Sequence, residues 1–372
     1  MTECTAWEEL QRRVIKENLC TYCGACTGMC PYFVPHKGKI IVRDKCGLSR
    51  GRCYDFCPRV AVDMERLHEL MFGSPYESND IGLVKDVFIA RAASPEIASA
   101  GQYGGVVTAL GCVALEGGMV DSVVATDSTD TCLPAGRIAS TRADLVDCAG
   151  SSYVASATVE AFNRGVRENG IRKMAVICTP CQSLALANMR FSETGEQNGM
   201  NKLGLVIGLF CTWALSYEGF ASYLKDRVSV HDVIKVDIPP PPANTFDVYC
   251  KTSGRVSLPL TEVRNFVREA CTYCIDMTAE FTDVSVGAAE GIKGWNTVIV
   301  RSDSGRELIE KAVKQGVITI KTMPEENLRH LKDASLLKKK RALKNICRKT
   351  GSTDDLLYLR NCPPVVRRLL EE

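Results

Sequence analysis

The chain has 372 residues, 45% hydrophobic and 24% charged, with a formal net charge of +2. That length predicts two or three domains, and the near-neutral balance excludes a global field that would demand a strongly charged partner. No run of about 18 apolar residues occurs, which excludes a membrane-spanning helix. Residues 1–18 are polar and lack the apolar segment of a secretion signal, and Arg12-Arg13 is not followed by one either, so a cytoplasmic location is expected. Nineteen cysteines in a chain of this size, bunched at short spacings, read as metal ligands in a reducing compartment rather than as a disulfide scaffold.

The first bunch, Cys20-x2-Cys23-x2-Cys26-x3-Cys30-Pro31, has the spacing that wraps a loop around an iron–sulfur cubane, with the fourth cysteine directed to a second cluster. Gly24 and Gly28 give the backbone the freedom that a close wrap needs. A zinc site would separate its Cys-x2-Cys pairs by a longer insert. The second bunch keeps only part of the matching pattern: Cys46, then Cys53-x3-Cys57-Pro58, with Gly47 and Arg50 where further ligands would stand. Exchange of ligands between the halves predicts one cluster on Cys20, Cys23, Cys26 and Cys57, and a second on Cys30, Cys46 and Cys53. The second is either a 3Fe–4S cluster or a 4Fe–4S cluster completed by Cys4 or a non-cysteine group.

The turn-rich segment 73–80 reads as a linker. After it strand and helix signals alternate: strand over 84–91, helix over 103–115 stopped by Gly117-Gly118, strand over 120–126, helix over 156–168, and strands over 173–178, 203–210 and 297–300. The prediction is an α+β fold of α/β character. No dinucleotide or phosphate-loop glycine motif is present. Four further cysteines stand at element ends: Cys181 after Cys178-Thr179-Pro180, Cys211 after an apolar run, and the Cys271-x2-Cys274 pair. Together they would complete one 4Fe–4S site, the alternative being that Cys178 and Cys211 are small buried apolar residues. The remaining cysteines, among them Cys112, Cys132, Cys148, Cys250, Cys347 and Cys362, read as small core residues. None of the four histidines sits in a motif.

Four passages resemble the beta subunits of coenzyme F420-reducing hydrogenase and of F420-linked formate dehydrogenase. They are Gln102-Tyr103-Gly104-Gly105-Val106-Val107-Thr108, Cys178-Thr179-Pro180-Cys181-Gln182, Gly208-Leu209-Phe210-Cys211, and Cys271-Thr272-Tyr273-Cys274-Ile275-Asp276 with Asp283–Gly287. The resemblance spans about residues 84–316. It implies one FAD, a 4Fe–4S cluster on Cys181, Cys211, Cys271 and Cys274, and hydride exchange with the deazaflavin coenzyme F420 as substrate. Three departures stand out: Cys178 replaces a glycine, Gln102-Tyr103 replace small residues, and the second cysteine block is altered. Flavin contacts are expected from Gly104, Gly105, Val106 and Thr108, from Ser151, Ser152 and Tyr153, from the Thr179-Pro180 turn, and from Lys293.

The expected organisation is a ferredoxin-like two-cluster domain (1–72), a linker (73–83), a flavin- and cluster-binding domain (84–322) and a helical tail (323–372). A flavin is expected because a hydride carrier moves two electrons together while clusters move one at a time. No nickel–iron or molybdenum-cofactor motif is visible. The primary site therefore belongs to a partner: the catalytic subunit of a hydrogenase or formate dehydrogenase, or subunits of a heterodisulfide-reductase-type assembly. Two rivals stay open: an oxidoreductase of the same family using NAD(P)H or ferredoxin, and a flavin-free electron-transfer adapter. Pro239–Pro242 is a stiff spacer. The basic tail, lacking a base-reading motif, reads as a solvated or partner-docking helix rather than a nucleic-acid site.

Overall fold

A computed structural model describes residues 5–128, 133–193, 198–239 and 243–371. Cys4, Cys132 and Pro240–Pro242 lie outside the described residues. In chain order the strands are β1 (Phe33–His36), β2 (Lys39–Val42), β3 (Val62–Asp63), β4 (Asp86–Ala92), β5 (Ser122–Ser128), β6 (Pro134–Ala139), β7 (Met174–Cys178) and β8 (Leu203–Leu209). They continue with β9 (Val233–Asp237), β10 (Thr245–Cys250), β11 (Gly254–Pro259), β12 (Val284–Ala288), β13 (Asn296–Val300), β14 (Ile318–Thr322) and β15 (Leu359–Asn361).

Eight of these form one mixed sheet in the order β14-β4-β13-β12-β8-β7-β5-β6. β12, β8, β7 and β5 run parallel, and antiparallel strands flank them on both sides. Every residue of β7 and β13 is buried, as expected of strands covered on both faces. The helices Val106–Glu116 and Asp303–Lys314 cover one face, packing Leu110, Val113 and Leu308 on Val284 and Val298. The helices Thr158–Gly165 and Pro180–Phe191 cover the other, packing Phe162, Leu186 and Met189 on Val176 and Val206. The helix read from residue 103 begins at Val106, because Gly105 at its N-cap takes a left-handed φ of 67°.

The fold is therefore mixed α/β around a large mixed sheet. β9–β11 form a separate three-stranded antiparallel sheet. Among its described residues the amino-terminal segment carries one hairpin, β1–β2, between its cysteine blocks, and its short β3 pairs in parallel with β15 of the tail. Its apolar side chains, including Leu10, Val14, Phe33 and Val60, share one core with Tyr273 and Ile275 and with Leu343, Ile346, Tyr358 and Val366. The segment 73–80 is anchored rather than loose: Tyr76 is buried and accepts a hydrogen bond from Lys339 Nζ at 2.9 Å. The tail helix Glu325–Thr350 buries Leu331, Lys338, Lys339, Leu343 and Ile346, so a simple solvated helix does not describe it. The reason is amphipathic spacing at three and four residues, which a count of its lysines hides.

Candidate functional site: three cysteine groups beside a glycine-rich loop

Cys20, Cys23 and Cys26 lie on a loop pressed against the helix Thr158–Gly165. A Cβ on Gly24 would come 2.6 Å from Ala157 O, and one on Gly28 would come 2.9 Å from Asn163 Cβ; both glycines have positive φ. Buried Asn163 fixes the loop by donating from Nδ2 to Ala25 O at 3.1 Å and Thr27 O at 2.7 Å. Arg268 holds its start, donating to Cys20 O at 2.8 Å. Cys20, Cys23, Cys26 and Cys57 together line a small cavity of about 30 Å³. Burial, and then the neighbouring cysteines, push the Cys26 thiol well above its ordinary value, and burial pushes Cys23 up to about 12. Four such thiols become thiolates only when a cation offsets their mutual repulsion and their burial.

Cys53 forms the centre of the second group. Burial and then Cys30 raise its thiol to about 11, with Cys46 also acting on it. Cys53 stands on the one-turn helix Arg52–Asp55, while Cys46 belongs to the exposed loop 43–50. The third group assembles at the carboxyl ends of β7 and β8. Cys181 lies in the first turn of the helix that follows β7, where Pro180 and a capping box between Thr179 and Gln182 fix the turn. Cys211 follows β8, its N–H bound to Met277 O at 2.8 Å. Cys271 accepts the Ala214 N–H at 3.3 Å. Burial raises Cys211, and Cys271, Cys181 and Cys274 add to that against Lys338. The structure thus brings the three groups together as sets of neighbours. Among the described residues, no three His, Cys, Asp or Glu side chains close around a single ion. Cys178 is buried in the apolar core with Val176, Leu186 and Val206, in the cluster that also holds Cys23, and burial and then the neighbouring Cys181 raise its thiol.

Two cations beside these cysteines escaped the sequence reading. Lys338 of the tail helix is buried and donates from Nζ to Cys211 O at 2.6 Å and Asp276 O at 2.7 Å. Arg59, two residues after Cys57, is buried next to Cys274. Burial opposes ionisation of Cys274, but Lys338 and Arg59 outweigh it and hold that thiol below its ordinary value. Position after Cys57-Pro58 was the only signal for Arg59. For Lys338 there was none inside a run of lysines.

The flavin candidates have more local work than expected. A Cβ on Gly104 would stand 2.7 Å from Asn296 Oδ1 and 2.9 Å from Ala90 O, and one on Gly105 would stand 2.7 Å from Ile97 O. The glycine pair therefore fits the loop onto its own sheet. The Val106 N–H donates to Asn296 Oδ1 at 3.2 Å, so that amide is already engaged. Thr108 is buried one turn further on. Gln102 donates to the Tyr153 hydroxyl at 2.8 Å and also binds Asp237, and the Ile238 N–H reaches the same hydroxyl at 3.2 Å. Gln182 donates to Ser156 O at 2.9 Å, which ties the Thr179-Pro180 turn to the segment holding Ser151, Ser152 and Tyr153. The glycine loop, this segment and the turn thus share one region. Ser151 and Ser152 make no side-chain hydrogen bond among the described residues. Lys293 is exposed on the β12–β13 turn; Glu290 of that turn lies close enough to act on Tyr103 of the glycine loop, and Asn296 at the start of β13 accepts the Val106 N–H.

Comparison with known proteins decides the family. Residues 87–163 match the family model for the amino-terminal part of the coenzyme F420 hydrogenase/dehydrogenase beta subunit, and residues 171–326 match the model for its carboxy-terminal part. The chain belongs to this family. The coenzyme F420 hydrogenase subunit beta of Methanococcus voltae is 32% identical over 270 residues, 71% of this chain and 95% of that protein. The coenzyme F420-dependent sulfite reductase of Methanocaldococcus jannaschii is 28% identical over 360 residues, 92% of this chain and 52% of that protein. A chain of the F420-reducing [NiFe] hydrogenase complex from Methanosarcina barkeri superposes with a TM-score of 0.67 at 27% identity, covering 77% of this chain and 99% of that one. The two family models leave the amino-terminal cysteine blocks and nearly all of the tail helix outside their bounds.

Proposed function

We propose that the chain is an iron–sulfur flavoprotein subunit that carries electrons between a partner and coenzyme F420. One observation carries the reading: the three cysteine groups are neighbours, Cys53 of the second acting on Cys26 of the first, and Cys181 of the third acting on Cys20 and Cys23. In this reading Cys20, Cys23, Cys26 and Cys57 hold one 4Fe–4S cluster, and Cys181, Cys211, Cys271 and Cys274 hold another. Cys30, Cys46 and Cys53 hold a third, of 3Fe or 4Fe type. The donor sets suit clusters, because buried thiols that raise one another need a polynuclear cation between them.

FAD, when bound, supplies the exchange between two-electron and one-electron transfer. Ser151 and Ser152 offer hydroxyls to it beside the glycine loop, and Tyr153 keeps that rim in place through Gln102. The matches to F420 hydrogenase subunits and to an F420-dependent sulfite reductase support the deazaflavin as hydride partner. Electrons enter or leave at the second group, whose Cys46 lies on the exposed loop 43–50. The partner is the catalytic subunit of a hydrogenase or formate dehydrogenase, or a heterodisulfide-reductase-type subunit. The flavin-free rival draws on one observation, that the glycine pair already has an intrachain reason to be there.

An anaerobic optical titration of the purified chain with reduced coenzyme F420, run in parallel with NADH, tests this. Bleaching of flavin and cluster absorbance by reduced F420 alone is the expected result. Bleaching by NADH alone would replace F420 by a nicotinamide. Absence of FAD from the denatured supernatant would favour the adapter.

A further inference from the structure

Arg59 follows Cys57 of the first cysteine group by two residues, and its side chain reaches Ala270, the neighbour of Cys271 in the third. Its charge acts on Cys20 and Cys57 of the first and on Cys274 of the third, and Cys181 acts on it in turn. It is 3% exposed. The guanidinium lies 4.2 Å over the centroid of the Tyr358 ring. Nη2 reaches Ala270 O at a long 3.5 Å. Nε and Nη1 are buried and make no well-formed hydrogen bond among the described residues, with the Cys274 thiol and the Tyr358 hydroxyl close enough to interact with the guanidinium. The groups that act most on Arg59 are Tyr358, Cys274 and Cys181, none of them a carboxylate.

Such a residue is expensive to keep. A buried guanidinium that meets no carboxylate, and whose Nε–H and Nη1–H lack well-formed bonds, is destabilising unless something anionic meets it. A cubane ligated by four thiolates is such an anion, and each one-electron reduction adds one more negative charge. Arginine suits the task better than lysine, since its planar fork can donate in two directions at once.

Resting on the reading that both groups hold clusters, we propose that Arg59 is a positioning residue shared by the two. Its Nε–H and Nη1–H donate to the sulfur atoms at these sites, and its fixed charge raises the reduction potential of both clusters together. Hydrogen bonds to sulfur and local net charge are the levers that set such potentials. One residue thereby keeps the two potentials matched, so that the electron lost by one cluster is accepted by its neighbour.

The test uses anaerobically reconstituted full-length protein: wild type, Arg59→Gln and Arg59→Lys. Iron and sulfide are counted first. A wild type that holds no cluster iron at these groups removes the cluster reading itself, a separate failure from that of the inference. With iron in place, a dithionite titration followed by electron paramagnetic resonance reads the midpoints. Arg59→Gln should move the signals of both clusters to lower potential, by a tenfold change in the reduction equilibrium or more, about 59 mV for one electron. A merely structural arginine would lower the melting temperature and leave the potentials of loaded clusters alone. Unmoved potentials in fully loaded Arg59→Gln overturn the proposal, and a shift confined to one cluster overturns the shared role. If Arg59→Gln does not load, pulsed resonance on protein labelled with ¹⁵N-arginine decides. Nitrogen couplings on both reduced clusters, lost in the charge-preserving Arg59→Lys, support it. Couplings that are absent from wild type, or unchanged in Arg59→Lys, overturn it.

Discussion

At the scale of single residues, Gly104 and Gly105 show how one pattern can carry two meanings. In the sequence they mark a helix start of the kind that lets a ligand approach the backbone. In the fold, Asn296, Ala90 and Ile97 occupy the places where their side chains would be. The two meanings predict different mutants. Gly105→Ala must hold an L-residue at a φ of 67°, which costs about 1–2 kcal/mol, and its Cβ must also displace Ile97 O, adding overpacking of roughly 1–3 kcal/mol. A lower melting temperature is expected, with FAD content per folded chain unchanged. An unchanged melting temperature with FAD lost would return the glycine to the ligand. Asn296 belongs to the same unit, since it accepts from Val106 N–H and donates to Gly287 O at 3.0 Å, and nothing in the sequence paired it with residues 190 positions earlier.

At the scale of elements, what was legible follows from how each signal arises. Apolar runs predicted β4, β7, β8 and β13 to within a few residues, because strands buried in the middle of a sheet are mostly apolar; Asp86 and Arg91 of β4 are exposed, and Asn296 and Thr297 of β13 are buried polar exceptions. Local cysteine spacing likewise announced the loop from Cys20 to Cys26. The tail helix was legible as a helix and misread in its surroundings. Its LKKKRALK stretch looks solvated, yet Lys338 and Lys339 are both buried, because their partners come from distant segments. Lys339 pairs with Glu280 and donates to Tyr76, binding tail, linker and the loop before β12 into one buried network. Lys339→Met should leave Glu280 uncompensated and cost about 3–5 kcal/mol in urea unfolding. Burial already raises Glu280 above the ordinary carboxylate range, with Lys339 opposing the rise. A carboxyl raised on folding keeps its proton in the native state where the unfolded chain has lost it, so stability falls as pH climbs past that range. The Lys339→Met deficit should therefore be largest near neutrality and shrink towards pH 4.5. A deficit below about 1 kcal/mol at pH 7 would mean that the tail is not held by this pair.

At the scale of the whole molecule, the near-zero net charge hides an uneven distribution. Residues 37–52 contain Lys37, Lys39, Arg43, Lys45, Arg50 and Arg52 against the single acid Asp44, all exposed. Lys39 and Arg50 are committed to Glu218 and Glu193, and Leu48 stands 62% exposed among the rest. This basic collar surrounds the loop of Cys46, the member of the three groups on the most exposed stretch of chain. A charged rim around a bare apolar residue speeds encounter with a partner of opposite sign and is weakened by salt. An acidic one-electron carrier should therefore exchange electrons with the chain faster at low ionic strength. Reversing two charges that form no ion pair among the described residues, Lys45→Glu with Arg52→Glu, should slow that exchange by roughly tenfold or more at low salt and flatten its salt dependence. Stopped-flow mixing with an acidic ferredoxin reads this directly, and bleaching by reduced F420 in the same preparation reports on the other end. Slower exchange with the ferredoxin and unchanged bleaching by F420 would locate the partner's entry at the second cysteine group. Equal loss at both ends would trace the effect to folding, and no loss at either would move the entry point away from the collar.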